Sequence, residues 1–153
     1  MKIATLAIVL RNSSVLLGYK KTGEIGAHTL NGPGGKCKKG ESPVQCVVRE
    51  TKEEIGITLF PQHLEETALI TFFAGGIPDF KVHIFRTSVF AGSPVETADM
   101  IPGWHDINDL PTHRMLESDK EWLPKVIRGE KFRANVFYKN RAANFERIEF
   151  FPF

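Results

Sequence analysis

Apolar and polar positions in this chain alternate in several short blocks, and each block predicts a strand. Lys2–Leu10 and Val15–Lys20 flank the polar step Arg11–Ser14 and predict a hairpin. The most regular alternation lies in Asp79–Val89, where Phe80, Val82, Ile84, Phe85 and Val89 mark a long strand. Leu69–Phe73 fits its antiparallel neighbour, joined through Gly75-Gly76. Phe132–Tyr138 and Phe145–Phe151 form another pair around Lys139–Asn144. Helical spacing appears twice. From Pro43 to Ile55, Ser42 and Gln45 form a capping box, Pro43 occupies the first turn and Gly56 stops the helix. From Ser118 to about Arg128, Ser118 and Glu121 have the same capping spacing before Gly129. Strands that mostly follow one another, with one helix near the middle and one near the end, predict an α/β layered fold with a mixed sheet. They do not predict a doubly wound one.

Length and charge narrow the picture. The 153 residues suit a single domain spanning 1–153. A net charge of +2, from 20 basic and 18 acidic residues, carries no general footprint for duplex nucleic acid or an anionic membrane surface. No apolar stretch approaches the roughly 20 residues of a membrane span. Met1–Leu10 ends at Arg11-Asn12 without a small-residue cleavage site, so it reads as a strand and not a leader. Cys37 and Cys46 have no zinc-site spacing and are expected to be free thiols in a reducing cytoplasm.

The middle helix carries the chemistry. At 100° per residue Val44, Val47, Val48, Thr51 and Ile55 share a stripe expected to face the core. Glu50, Glu53 and Glu54 gather on the other side, with Glu50 and Glu54 one turn apart. Like charges at that spacing, near a helix C-terminus, destabilise the helix by a few tenths of a kcal/mol from repulsion. The macrodipole adds roughly 0.3–1 kcal/mol per carboxylate. Arg49 relieves part of this through Glu53. A hard divalent cation with oxygen ligands would relieve the rest. The preceding loop, Asn31-Gly32-Pro33-Gly34-Gly35, lets backbone approach a ligand, and Lys36, Lys38 and Lys39 add positive charge beside the acidic face.

Gly35, five residues, Glu41, seven residues, Arg49-Glu50, two residues, Glu53-Glu54, one residue, then Gly56 and Ile57 resembles the Nudix box. Thr51 is the one departure, standing where that family usually has a bulky aliphatic residue. The resemblance implies a Nudix-type α/β/α sandwich and a hydrolase of diphosphate bonds. It also implies that Gly34, Glu50, Glu53 and Glu54 hold Mg²⁺, with Mn²⁺ as a substitute. Arg49 would orient a helix glutamate, Glu41 would belong to the surrounding salt-bridge network, and Glu53 or Glu54 would take the proton from the attacking water.

Outside the box the chain is similar to the Nudix branch that hydrolyses oxidised purine nucleoside triphosphates such as 8-oxo-dGTP. Leu16–Lys21, Asn31–Lys36, Gly92–Glu96, Asp99-Met100, Pro102, Trp104, Leu110-Pro111, Met115, Asp119, Trp122, Pro124 and Lys131-Phe132 follow it in order. That similarity implies a small-molecule nucleotide partner and a base pocket at Thr5, Lys20, Asn31, Phe73, Phe80, Asp119 and Trp122, with Lys36 toward the phosphates. Asp99 matches a further acidic metal ligand, with Glu96 close enough to compete. Leu116 stands in place of a tryptophan over the base, and Ser118 in place of the first of two adjacent aspartates. From the residues alone, Asn31 also reads as a turn residue, Trp122 as core and Ser118 as a helix cap. Two other readings stay open: hydrolysis of another nucleoside diphosphate derivative, such as a dinucleoside polyphosphate or nucleotide sugar, and a Nudix-fold binding module without turnover.

Overall fold

The structure is a computed structural model describing residues 1–153. Its strands are β1 (Lys2–Arg11), β2 (Ser14–Lys20), β3 (Leu30–Asn31), β4 (Gly34–Lys36), β5 (Thr58–Leu59), β6 (Glu65–Ala74), β7 (Ile77–Thr87), β8 (Phe90–Ala91), β9 (Met100–Asp106), β10 (Phe132–Asn140) and β11 (Ala143–Phe151). The helices are α1 (Pro43–Ile55) and α2 (Asp119–Ile127). The main sheet runs β11-β10-β6-β7-β1-β2-β3, with β4 added against β1 and β9 against β2. β1 with β7 and β10 with β6 are parallel, and the other pairings are antiparallel. The sheet is therefore mixed, as the sequence predicts. β5 and β8 make a separate two-stranded piece.

Period-two alternation in the central strands divides the interior into two cores. Ile8 and Leu10 of β1, with Val15 and Leu17 of β2, pack with Trp122, Leu123 and Val126 of α2. Their alternates Ala7, Val9 and Leu16 pack with Val47 and Ile55 of α1. One helix covers each face, which makes an α/β/α sandwich. No helix is long and apolar enough to cross a membrane. Cys37 and Cys46 are both free.

The start of α1 follows the sequence closely. Gln45 N–H donates to Ser42 Oγ at 3.1 Å, and Ser42 N–H donates to Gln45 Oε1 at 3.0 Å. Gly56 ends the helix at φ 80°. The expected stripe faces the core: Val47, Thr51 and Ile55 are buried, and Val44 and Val48, half-buried, pack against the same cluster, while Cys46 and Glu54 are buried as well. Two expectations need correction. The capping box expected at Ser118 does not form: the residue has αR geometry and its side chain caps nothing. The last turn is tighter than Lys139–Asn144, because Asn140 already pairs with Ala143. Strands β3, β4, β5, β8 and β9 are too short, or too rich in Gly and Pro, to show as alternation.

Candidate active site

β4 carries Gly34 and Gly35 between β1 and α1, where there is no room for side chains. A Cβ on Gly34 would lie 2.0 Å from the Thr5 carbonyl oxygen, and the residue sits at φ 153°. A Cβ on Gly35 would lie 2.6 Å from the Glu50 carboxylate. The bare backbone thus meets the acidic side of α1 directly. Gly34 N–H donates to Glu54 Oε1 at 2.7 Å.

Arg49 organises the remaining carboxylates. Its Nε and Nη2 donate to Glu41 at 2.7 and 2.9 Å, and its Nη1 donates to Glu50 at 2.8 Å and to Glu53 at 3.1 Å. The two-pronged bond with Glu41 is the geometry guanidinium favours. Hydrogen bonding from Arg49, then from the Lys38 backbone, lowers the Glu41 carboxyl to about 2. Arg49 itself is held further toward its charged form, chiefly by Glu41.

Glu54 behaves differently. It is 7% exposed and has no cationic hydrogen-bond partner. Burial raises its carboxyl to about 7, and the charges of Glu50 and Asp99 push in the same direction. The Gly34 N–H and the charge of Lys20 oppose the shift without cancelling it. The helix therefore does not present three equivalent solvated glutamates. Glu54 lies inside, Glu50 at the cavity wall, and Glu53 outward with its side chain 54% exposed.

These residues form one end of a cavity of about 390 Å³. Gly34, Gly35, Lys36, Arg49, Glu50, Glu54 and Asp99 line that end. Phe72, Phe80, Leu116 and Trp122 make an apolar slot at the other, where Asn31 and Asp119 supply the polar groups. Thr5 and Lys20 also line the cavity. The Thr5 hydroxyl is turned to Cys46 Sγ at 3.4 Å, and Lys20 Nζ donates to the Ile25 carbonyl at 3.0 Å. Asn31 Oδ1 accepts from Gly32 N–H at 2.8 Å, which leaves its NH₂ for a ligand. Asp99 lines the cavity, whereas its competitor Glu96 is drawn outward to Lys21 at 2.7 Å.

Of the residues expected at the site, the structure leaves Phe73 and Glu53 out of the cavity lining. Phe73 faces the other way and stacks on Phe137, ring centroids 4.6 Å apart. Phe72 lines the cavity instead. The signal was available: Phe72 follows Ala68 and Ile70 on one face of β6, and it is the cross-strand partner of Phe80. The loop Thr22–Ile25 also lines the cavity and was not anticipated, since nothing in its polar, glycine-containing sequence marks it.

Asp119 is the buried ionisable group beside the apolar lining. It is 1% exposed, its Oδ1 accepts from Trp122 Nε1 at 3.1 Å, and its Oδ2 has no partner. Burial raises its carboxyl to about 7 against hydrogen bonds from Trp122 and Ser118.

The donor set suits a hard cation. Glu50, Glu54, Asp99 and the glycine backbone offer oxygen alone, and the charges of Glu50 and Asp99 act against an ionised Glu54, opposed by Lys20. No three His, Cys, Asp or Glu side chains are drawn together as a ready ligand cluster, since Arg49 holds Glu50 and Glu53 in ion pairs.

Comparison with known proteins agrees with this geometry. Residues 1–126 match the NUDIX domain model. The chain is 39% identical over 132 residues to an oxidized purine nucleoside triphosphate hydrolase from Danio rerio, covering 86% of this chain and 83% of that one. It is 35% identical over 141 residues to the protein of the same name from Mus musculus, covering 92% and 88%. Among solved structures it superposes on the MutT protein of Bacillus halodurans with a TM-score of 0.81 at 22% identity, covering 98% and 97% of the two chains, which supports the fold. The loop, the helix with its ordered glutamates and the two-layered cores therefore have one origin: this chain belongs to the Nudix family and is a Nudix pyrophosphohydrolase.

Proposed function

We propose that the protein hydrolyses a diphosphate bond in a purine nucleoside triphosphate, oxidised guanine nucleotides included, releasing nucleoside monophosphate and pyrophosphate. One observation carries this reading. A single cavity joins an oxygen-rich acidic end to an apolar slot whose polar groups, Asn31 and Asp119, can read a base edge. The names of the Danio and Mus relatives support it. Such an enzyme would remove damaged nucleotides from the precursor pool.

The cation we assign is Mg²⁺, held by Glu50, Glu54, Asp99 and the Gly34 carbonyl. When bound, it would neutralise phosphate oxygens and make a coordinated water more acidic. The protein does the rest. Lys36 lines the cavity, and on binding its ammonium would exchange Glu24 for the phosphate chain. Arg49 fixes Glu50 at the wall. Of the two glutamates expected to accept the proton, only Glu54 lines the cavity, and we assign it that role. At the base end, ionised Asp119 accepts from the N1–H and amino group of a guanine-type edge, and the Asn31 NH₂ donates to a base acceptor. Phe72, Phe80 and Trp122 exclude water around it.

The test is a hydrolysis screen with Mg²⁺ over 8-oxo-dGTP, the canonical nucleoside triphosphates, dinucleoside polyphosphates and nucleotide sugars, with products identified. Guanine-type triphosphates should lead in kcat/KM by at least about tenfold over pyrimidine triphosphates, the scale of one unmatched buried polar group. Their products should be monophosphate and pyrophosphate. Preference for a dinucleoside polyphosphate or a nucleotide sugar would replace this reading with hydrolysis of another nucleoside diphosphate derivative.

A further inference from the structure

At the start of α2, three buried side chains form a chain of hydrogen bonds that ends at the base slot. Tyr138, 3% exposed on β10, donates its hydroxyl hydrogen to Ser118 Oγ at 2.9 Å and accepts from Ser118 N–H at 3.1 Å. Ser118 Oγ stands 3.5 Å from Asp119 Oδ1, which also accepts from Trp122 Nε1 at 3.1 Å. A hydroxyl has one hydrogen. With Tyr138 donating to Ser118, the Ser118 hydrogen is free to point at Asp119. Oδ1 then faces two donors from inside the protein. Oδ2 has none and is buried beside the cavity. A proton on the carboxyl must sit on Oδ2, because Oδ1 is already approached by hydrogens.

We infer that Tyr138 is a positioning residue for substrate selection: acting through Ser118, it holds Asp119 so that Oδ2 alone meets the base. This deepens the reading of the cavity as a purine site and rests on it. Tyr138 does not line the cavity, and it is 20 residues from Ser118 in sequence, so no motif marks it. Its contact works in two ways. Satisfying the Ser118 N–H fixes the first turn of α2, and donating to Ser118 Oγ polarises that hydroxyl and strengthens its bond to Asp119. A stronger donor at Oδ1 favours the ionised carboxylate and the acceptor role at Oδ2. The other charges acting here are Lys20 of β2, whose field favours ionised Asp119, and Glu117 before α2, which acts on the Tyr138 hydroxyl.

The experiment compares wild type with Tyr138→Phe, Ser118→Ala and the double variant, using the full chain. The first readout needs no substrate: the carboxyl carbon of Asp119 followed by NMR against pH. Its midpoint should move to higher pH in both single variants. The second readout is steady-state hydrolysis of 8-oxo-dGTP. KM should rise roughly 5- to 20-fold in each single variant, with kcat within about twofold and no further rise in the double variant. An unmoved Asp119 midpoint in both single variants overturns the inference, whatever happens to thermal stability. A KM rise that is additive in the double variant also overturns it. If the wild type cleaves no purine triphosphate, the proposed function fails, while the NMR titration still decides whether Tyr138 governs Asp119.

Discussion

Gly34 N–H donates to Glu54 Oε1 at 2.7 Å, joining the glycine loop to a carboxylate twenty residues further along the chain. The bond shows how loop and helix make one site: each supplies what the other lacks. The loop offers backbone close enough to touch, and the helix offers a buried acid held by a neutral donor.

Substitutions in the loop should separate packing from chemistry. Gly35→Ala places a methyl 2.6 Å from the Glu50 carboxylate, a side-chain end that can move if it gives up its bond to Arg49. kcat should fall at least about tenfold with Tm nearly unchanged. Gly34→Ala meets the Thr5 backbone at 2.0 Å, which cannot swing, and should cost about 2–4 kcal/mol in unfolding experiments. Equal stability in the two variants would contradict this division.

Addition of Mg²⁺ should raise Tm more at pH 8 than at pH 5. Burial raises the Glu54 carboxyl from 4.5 to about 7, so at pH 5 it holds a proton that a cation must displace. At pH 8 the site is ionised and repulsive, and the cation relieves it. Differential scanning fluorimetry at both pH values checks this. A Mg²⁺ shift of the same size at both would show that Glu54 is not part of the cation site.

The cation-free protein should lose stability as pH rises from about 4 to about 7, and Asp119→Asn should remove part of that slope. Well below pH 3.8 the Asp119 carboxyl is protonated in both the folded and unfolded states. Above its unfolded value of 3.8 the unfolded chain releases the proton while the folded chain keeps it, up to about 7. Stability falls through that window by on the order of a few kcal/mol, and Glu54 adds to the slope in the same direction. Denaturant titrations at pH 4, 5.5 and 7.5 measure it. Identical slopes for wild type and Asp119→Asn would contradict the burial of an unpaired carboxyl there.

Much of this was legible in residue order, and what was missed has identifiable causes. The box resemblance and the capping of α1 located the acidic end, because spacing along a helix fixes which side chains share a face. That Glu54 is buried was not legible, because periodicity says nothing of the loop that folds over it. Phe73 was chosen over Phe72 although a one-residue step in a strand reverses the face. Ser118 read as a cap because the sequence could not show a tyrosine arriving from β10. The loop Thr22–Ile25 reaches the cavity only through tertiary folding.

Leu116 lines the cavity beside Phe72, Phe80 and Trp122, where we propose the base lies, with less stacking surface than an aromatic ring. Leu116→Trp should lower KM for guanine-type triphosphates about three- to tenfold, the range expected of an added stacking contact, with kcat unchanged. An unchanged KM would place the base away from Leu116.

The central claim is that the two ends of one cavity divide the work, chemistry at Glu54 and base recognition at Asp119. Steady-state kinetics of Glu54→Gln and Asp119→Asn on 8-oxo-dGTP, at saturating Mg²⁺ and pH 8, tests it most directly. Glu54→Gln should lower kcat at least about a hundredfold with KM within a few-fold. Asp119→Asn should raise KM by about 5- to 100-fold, corresponding to roughly 1–3 kcal/mol, and leave kcat nearly intact. If both substitutions lower kcat equally and leave KM alone, or if neither changes either constant, the division of the cavity is wrong.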